Sequence, residues 1–212
     1  FSCGAASAVA TKLSKPDEIW YCATGSEDED NERFLRDCER WFDQEVRVLK
    51  SEKYDDTWAV WEHRKYLSGV AGAPCTGELK VLPRTAAQRP DDRHIFGYAA
   101  DSSDIKRANL MGENWPELDA QFPLIERGLN KAACLALLKS AGIEPPRVYA
   151  MGYPNANCIP CVKATSPDYW ALVRKHHPQQ FNRMAELEQR FDVRLTRING
   201  ERKQITEIPD DW

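Results

Sequence analysis

The run Phe1-Ser2-Cys3-Gly4-Ala5-Ala6-Ser7-Ala8-Val9-Ala10-Thr11-Lys12-Leu13, followed by Ile19-Trp20-Tyr21-Cys22-Ala23-Thr24, governs the reading of the fold. Its first residues read as the end of a strand, its small residues as a loop, and the stretch from Ala8 as a helix. The apolar and aromatic run at 19–24 predicts a second strand, broken by Gly25-Ser26. Glu27-Asp28-Glu29-Asp30 then leads a helix, where negative charge suits the N-terminal end of the dipole. Phe34, Leu35, Cys38, Trp41 and Phe42 follow at helical spacing. Glu45-Val46-Arg47-Val48-Leu49 predicts a third strand. This alternation predicts an α/β fold with a Rossmann-like, mostly parallel sheet and helices on both faces.

Outward from that stretch, 57–67 predicts a helix in which Trp58, Trp61 and His63 are packing residues. A Gly/Ala/Pro break over 69–74 leads to Cys75. His94-Ile95-Phe96-Gly97-Tyr98 predicts a fourth strand. A helix is expected over 129–141, stopped by Gly142 and Pro145-Pro146. Val148-Tyr149-Ala150-Met151 predicts a short strand. After Cys161 the character changes. Tyr169, Trp170 and Val173 mark one helix, and Phe181, Met184, Leu187 and Phe191 mark another. The stretches 193–198 and 201–208 flank Asn199-Gly200, a pair that suits the type I′ turn of a hairpin. The expected organisation is a core over 1–152 and a C-terminal helical and hairpin region over 153–212 packed on it.

The chain has 212 residues, a formal net charge of −4 and a hydrophobic fraction of 42%, enough to bury a substantial core. The charge gives no general attraction to nucleic acid or to an anionic membrane, although a local basic patch is compatible with it. No apolar run is long enough to span a bilayer, and no secretory signal is visible. The seven cysteines are odd in number and scattered, unlike a small secreted disulfide framework. A reducing, cytoplasmic compartment is therefore expected, with Cys22 and Cys38 as inert buried thiols. The chain opens at Phe1 rather than Met, so a missing natural start and a trimmed C-terminal tail are both expected.

Two features carry chemistry. In Ser2-x-Gly4-x-x-Ser7, small residues let the backbone fold tightly, and a following helix offers N–H groups and positive dipole to a phosphate. The GK[ST] ending of the Walker pattern is missing. The competing reading is a plain strand-to-helix turn. The second feature is Cys158-Ile159-Pro160-Cys161, whose spacing lets two thiolates meet one metal or each other. A thioredoxin-type pair, a zinc site and an iron–sulfur cluster all compete. Cys75 is a natural third ligand, and Cys134 reads better as a core thiol.

Several segments together resemble the phosphoadenylyl-sulfate reductase family of the adenine-nucleotide α-hydrolase (PP-loop) superfamily. Ser2-Cys3-Gly4-Ala5-Ala6-Ser7 is similar to that superfamily's SGGxDS loop, with one Gly lost and Ala in place of Asp. Cys75-Thr76-Gly77-Glu78-Leu79-Lys80-Val81-Leu82-Pro83 resembles the CCxxRKVxPL segment of cluster-containing members. Cys158-Ile159-Pro160-Cys161 resembles the second cysteine pair. Gly97-Tyr98 with Asp101, Phe122-Pro123-Leu124-Ile125, and the stretch from Asn155 to Ala164 extend the likeness over nearly the whole chain.

The resemblance implies an adenine nucleotide, ATP or a sulfonucleotide, bound at the C-terminal ends of the strands. Ser2, Gly4, Ala5, Ala6, Ser7 and Thr24 would hold it, with magnesium as an accompanying ion. It implies a 4Fe-4S cluster on Cys75, Cys158 and Cys161, with Lys80 as the catalytic residue facing the cluster or the phosphates. Two departures stand out. Thr76 replaces the second cysteine of the first pair, which leaves three matched thiolates. The family's C-terminal ECGxH-like cysteine has no counterpart after Cys161, and reduction through an enzyme thiosulfonate needs that nucleophile.

The expectation is thus a nucleotide-dependent enzyme of sulfur metabolism, either a sulfonucleotide reductase or an ATP-dependent sulfurtransferase acting on a nucleotide or nucleic acid. A sulfur or electron donor protein, a homodimer and no membrane partner complete it. The alternative is a non-catalytic nucleotide- or nucleic-acid-binding subunit or sensor. His176-His177 reads as solvated or capping. Asp28 and Asp30 read as a helix start rather than magnesium ligands. Arg33, Lys131 and Arg107 read equally as phosphate contacts or surface charge.

Overall fold

The computed structural model describes residues 1–212. In chain order the first elements are α1 (Ala5–Ser14), β1 (Ile19–Cys22), α2 (Asn31–Phe42), β2 (Val46–Leu49), α3 (Thr57–Arg64) and α4 (Pro74–Thr76). A π-helical turn, Gly77–Val81, runs into α5 (Leu82–Ala87), followed by β3 (His94–Ile95), α6 (Ser102–Asn114), β4 (Ala120–Gln121), α7 (Pro123–Glu126) and α8 (Lys131–Ser140). The chain ends with α9 (Pro167–His176), α10 (Pro178–Arg190), β5 (Thr196–Ile198) and β6 (Glu201–Lys203). No helix is long and apolar enough to cross a membrane.

Two compact units share the chain, each assembled from separated stretches. One comprises Phe1–Cys22, Glu29–Leu49 and Arg84–Arg147; the other comprises Ala23–Asp28, Lys50–Pro83 and Val148–Trp212. The boundary expected after residue 152 falls inside the second unit, which also takes in 23–28 and 50–83.

In the first unit, β1 and β2 pair in parallel from Ile19 opposite Val46 to Cys22 opposite Leu49, with α2 as the crossover. Phe34 and Cys38, one turn apart on α2, are buried, while Arg36 and Arg40 on its outer side pair with Glu32 and Asp37. The helix starts at Asn31, so of the acidic stretch only Asp30 reaches its N-cap. A second parallel pair, β3 with β4, is bridged by α6. The class is mixed α/β, helix-rich with short strands. The expected mostly parallel sheet resolves instead into three two-stranded pairs, two parallel and one antiparallel. Gly97 follows β3 closely and Pro123 follows β4, and both residue types weaken or end strands.

The second unit centres on α3, α9 and α10. Trp61, Trp170, Met184, Leu187 and Ile205 are fully buried there. Each such side chain contributes about 1.5–3 kcal/mol of burial free energy. Ser166 caps α9 by accepting from the Asp168 N–H, and Pro167 takes the first helical position, where its missing donor costs nothing. Asn199 and Gly200 both have positive φ, +53° and +84°, and close the β5–β6 hairpin as expected. Its arms are short because Ile205–Glu207 turns into a 3₁₀ helix. The strand expected at 148–151 is absent: Arg147–Tyr149 form a 3₁₀ turn behind Pro145-Pro146. Gly152 then reverses the chain at φ +95°.

Candidate functional site

The three candidate ligand thiols, from positions far apart in sequence, all belong to the second unit. Cys75 lies in α4 and Cys161 in the loop that precedes α9; both pack against the core that contains Trp58, Trp61 and Trp170. All seven cysteines are free thiols. Cys75, Cys158 and Cys161 lie within electrostatic reach of one another. Burial pushes the Cys75 and Cys158 thiols up, because a thiolate is poorly solvated there. Positive charge opposes this, from Lys80 at Cys158 and from Lys163 at Cys75.

Lys80 sits in the π-helical turn, near enough for its charge to favour the Cys158 thiolate. Thr24 is placed differently from expectation. It belongs to the second unit with the thiols, apart from the Ser2–Ser7 loop of the first. Its Oγ1 donates to Glu27 Oε1 at 2.6 Å and lies 3.1 Å from Cys158 Sγ. A hydroxyl has one proton, so with that proton on the Glu27 carboxylate, the Cys158 S–H is the donor to Thr24. The Thr24 N–H also donates to Glu27 Oε1, at 2.8 Å. The turn is locked by Gly25, where a Cβ would fall 2.1 Å from the Asp55 carbonyl oxygen, and by Ser26, whose carbonyl accepts from the Ile159 N–H. These bonds explain why 23–28 leaves β1 and joins the 50–83 and 148–212 stretches.

Sequence reasoning missed three neighbours of the thiols. Tyr169 Oη accepts the Cys161 N–H at 2.6 Å, and burial holds the phenol neutral. Glu27 was legible only as helix-leading charge, although its place three residues after Thr24 is the signature of a side-chain-closed turn. Trp61 was legible only as packing. Its indole Nε1 is buried without an acceptor in hydrogen-bonding geometry and stands toward Cys75, whose thiolate it favours.

No group of three or more His, Cys, Asp or Glu side chains is gathered closely enough to hold a metal ion. The donor set nevertheless fits a thiolate-bound centre in its chemistry. Three soft thiols share one neighbourhood, and an orphaned N–H of the kind that tunes cluster sulfurs is buried beside one of them. Convergence on one centre requires the thiol side chains to rotate. Thr76, next to Cys75, lines an open cavity of about 470 Å³ with Arg64, Glu78 and Lys163. Arg64 and Glu78 form an ion pair across 2.5 Å there.

The opening loop lies in the first unit. Ser7 Oγ accepts from the N–H of Ser2 and of Gly4 and from Ser2 Oγ, and donates to the Gly4 carbonyl. The hydroxyl expected to hold phosphate therefore closes the loop on itself. Cys3 takes a left-handed conformation, φ +51°, and is fully buried. Gly97 packs so closely that a Cβ would lie 2.4 Å from Ser7 Cα. Ser2 is exposed, Gly4 and Ala6 are half-buried, and Ala5 is buried.

Asp30 is held by both guanidinium arms of Arg33, at 2.6 and 2.7 Å, which removes it as a magnesium ligand. Arg33 also reaches Asp37 and the carbonyls of Glu144 and Pro145. Arg107 pairs with Asp104. His177 stands at the junction of α9 and α10. Cys38 and Cys134 are fully buried, and burial pushes the Cys134 thiol up to about 11, as inert core thiols require. Cys22 is only half-buried. No protein-family model matches the chain, and no curated protein matches it.

Proposed function

We propose that this chain is an adenine-nucleotide-dependent enzyme of sulfur metabolism that transfers sulfur to a nucleotide or nucleic-acid substrate. Cys75, Cys158 and Cys161 would hold its iron–sulfur cluster. The observation that carries the reading is that these three thiols, distant in sequence, lie in one unit within electrostatic reach of one another, with the Trp61 N–H beside Cys75. Thr76 follows Cys75 where the resembled family has a second cysteine, which favours a three-thiolate site and hence transfer over reduction. When bound, such a cluster supplies labile sulfur or electrons.

The chain's own residues have definable tasks. The Lys80 ammonium favours the thiolate of Cys158, and Thr24 Oγ1 stands ready to receive its S–H. Tyr169 fixes the backbone of Cys161. The two parallel strand pairs of the first unit are read as parts of a Rossmann-like nucleotide fold. Ser2, Gly4, Ala5 and Ala6 form its phosphate turn, which Ser7 braces from within. Positioning and charge neutralisation at the phosphates would drive adenylation of the acceptor, with release of pyrophosphate.

Anaerobic purification with iron, sulfide and zinc analysis tests the proposal. A brown protein with about four irons per chain is expected. Cys75→Ser, Cys158→Ser and Cys161→Ser should each lose most of that iron. Stoichiometric zinc in a colourless protein, or iron content indifferent to all three substitutions, defeats it. Absence of ATP-dependent pyrophosphate release from an iron-loaded protein, with any acceptor offered, would favour the non-catalytic subunit.

A further inference from the structure

The β5–β6 hairpin carries a charge pattern that folding alone does not favour. Between Val193 and Lys203 stand four basic residues, Arg194, Arg197, Arg202 and Lys203, and one acidic residue, Glu201. Alternation along the strands sorts them by face. Thr196 is buried and Ile198 packs against the core of the second unit, so the face they share turns inward. The exposed Arg197 lies on the other face, and the register sets Arg202 directly opposite it. Opposed residues of an antiparallel pair have Cβ atoms about 5 Å apart, and like charges so placed repel.

No carboxylate pairs with these arginines. The Arg202 guanidinium donates to the carbonyls of Leu195, at 3.1 Å, and Arg194, at 3.4 Å, which fix it without removing its charge. Arg194 and Arg197 are exposed and form no ion pair. Arg194 acts only at a distance on the buried Glu188, whose oxygens are taken by two backbone N–H groups. The inward face is different: Lys203 reaches Glu201 at 3.5 Å and Glu207 at 3.7 Å.

The basic stripe continues toward the thiols. The Arg197 N–H donates to the Thr165 carbonyl at 2.9 Å, and the Thr196 hydroxyl donates to the same oxygen at 3.3 Å. These bonds lay the loop after Cys161 along β5 and bring Lys163 to the edge of the hairpin. Lys163 is exposed, has no carboxylate partner, and lines the cavity of about 470 Å³ with Arg64 and Thr76. Its charge reaches Cys75.

We propose that the outer face of the β5–β6 hairpin is a phosphate track for a nucleic-acid strand, held by Arg194, Arg197, Arg202 and, nearest the thiols, Lys163. Guanidiniums without carboxylates offer planar forks that phosphate oxygens match in pairs. A row of cations fits a repeating polyanion better than a single phosphate. An anionic bilayer fits poorly: the hairpin tip is Asn199-Gly200, and Ile198, its one large aliphatic residue between Thr196 and Lys203, turns inward. Contacts to the backbone position a strand without reading its sequence. The inference deepens the proposed function and rests on it in one respect, since it makes the acceptor a polynucleotide delivered beside Cys75. The binding itself needs no metal, so its failure and that of the cysteine centre are separately visible.

Fluorescence anisotropy of a labelled, mixed-sequence single-stranded RNA of about 15 nucleotides, titrated with the full chain over a range of salt, tests it. Log affinity should fall with log salt at a slope of about −2 to −3, as ~0.7 per phosphate over three or four contacts requires. Arg197→Glu is the decisive variant. It sets a carboxylate opposite Arg202, so the unfolding midpoint should hold or rise. Its two units of charge should shrink the slope by about 1.4 and so lower affinity about 25-fold over the decade between about 1 M and 0.1 M salt. Arg194→Gln leaves the opposed pair intact and should remove about 0.7 of slope. Thiouridine-bearing RNA crosslinked to the unsubstituted chain should label peptides within 163–165 or 194–203. An affinity indifferent to salt, a folded Arg197→Glu chain that binds like the parent, equal occupancy by inorganic phosphate, preference for phosphatidylserine vesicles over RNA, or crosslinks confined elsewhere would each overturn it.

Discussion

Glu188 shows how a single ionisable residue can be wholly structural. It is fully buried on α10, where Oε1 accepts the Leu195 N–H at 2.7 Å and Oε2 accepts the Ile205 N–H at 2.8 Å. The two bonds tie the helix to the chain on either side of the hairpin. Glu188→Gln replaces one acceptor by an NH₂ that faces a buried N–H. It should cost about 1–3 kcal/mol in denaturant unfolding, and an unchanged midpoint would refute the buckle. The sequence shows only a charged residue in a helix whose apolar stripe, Phe181, Met184 and Leu187, sets its orientation. The same limit hid Trp61, since periodicity reports which side of a helix is buried but not which buried atom lacks a partner. Cys158 and Cys161 stood out by their spacing and Cys75 only by the resemblance, whereas the placing of Thr24 with them in the second unit follows from the turn at Gly25, which no pattern announces.

Among the elements, α2 illustrates how charge fixes what hydrophobic pattern merely orients. Its stripe was readable from Phe34 and Cys38, yet its attachment to the 144–147 segment depends on Asp30 and Arg33. Asp30 also accepts the Arg147 N–H at 2.8 Å. Hydrogen bonds from Arg33 hold its carboxyl below the ordinary 3.8. A depressed native pKa means that the unfolded chain binds the proton first, so this stabilisation is complete above about 3.8 and is lost as pH falls through the lowered value. Asp30→Asn should destabilise by about 1–3 kcal/mol near neutral pH. The gap to the parent should narrow as acid is added below that window; a gap constant with pH would show that the carboxylate charge has no part. Strand pairing was less legible. Parallel crossovers were foreseeable from the alternation of elements, whereas the division into pairs follows from Gly97 and Pro123, whose effects are local.

For the whole molecule, the two units are not contiguous stretches of sequence: residues 23–28 and 50–83 join 148–212, and 84–147 joins the N-terminal stretches. The signals that mark a domain boundary in sequence, a shift of composition after Cys161 and the breaks near 145 and 152, report where one stretch ends but not with which other it packs. Neither half of a cut after residue 152 contains all of the second unit. Separately produced fragments 1–152 and 153–212 should therefore lack cooperative thermal unfolding by circular dichroism, whereas the full chain retains it. A fragment 153–212 that melts cooperatively alone would show that α9, α10 and the hairpin suffice without α3.

The Trp58–Trp61 pair gives the thiol neighbourhood a light source of its own. The rings meet edge to face, with centroids 5.1 Å apart, and the indole N–H of Trp61 stands toward Cys75. Two indoles so close share their excited states, and any coloured group assembled on the adjacent thiols would drain that excitation before it is emitted. Were the proposed centre on Cys75, Cys158 and Cys161 filled, its occupancy would thus be readable in the protein's intrinsic fluorescence, without a label.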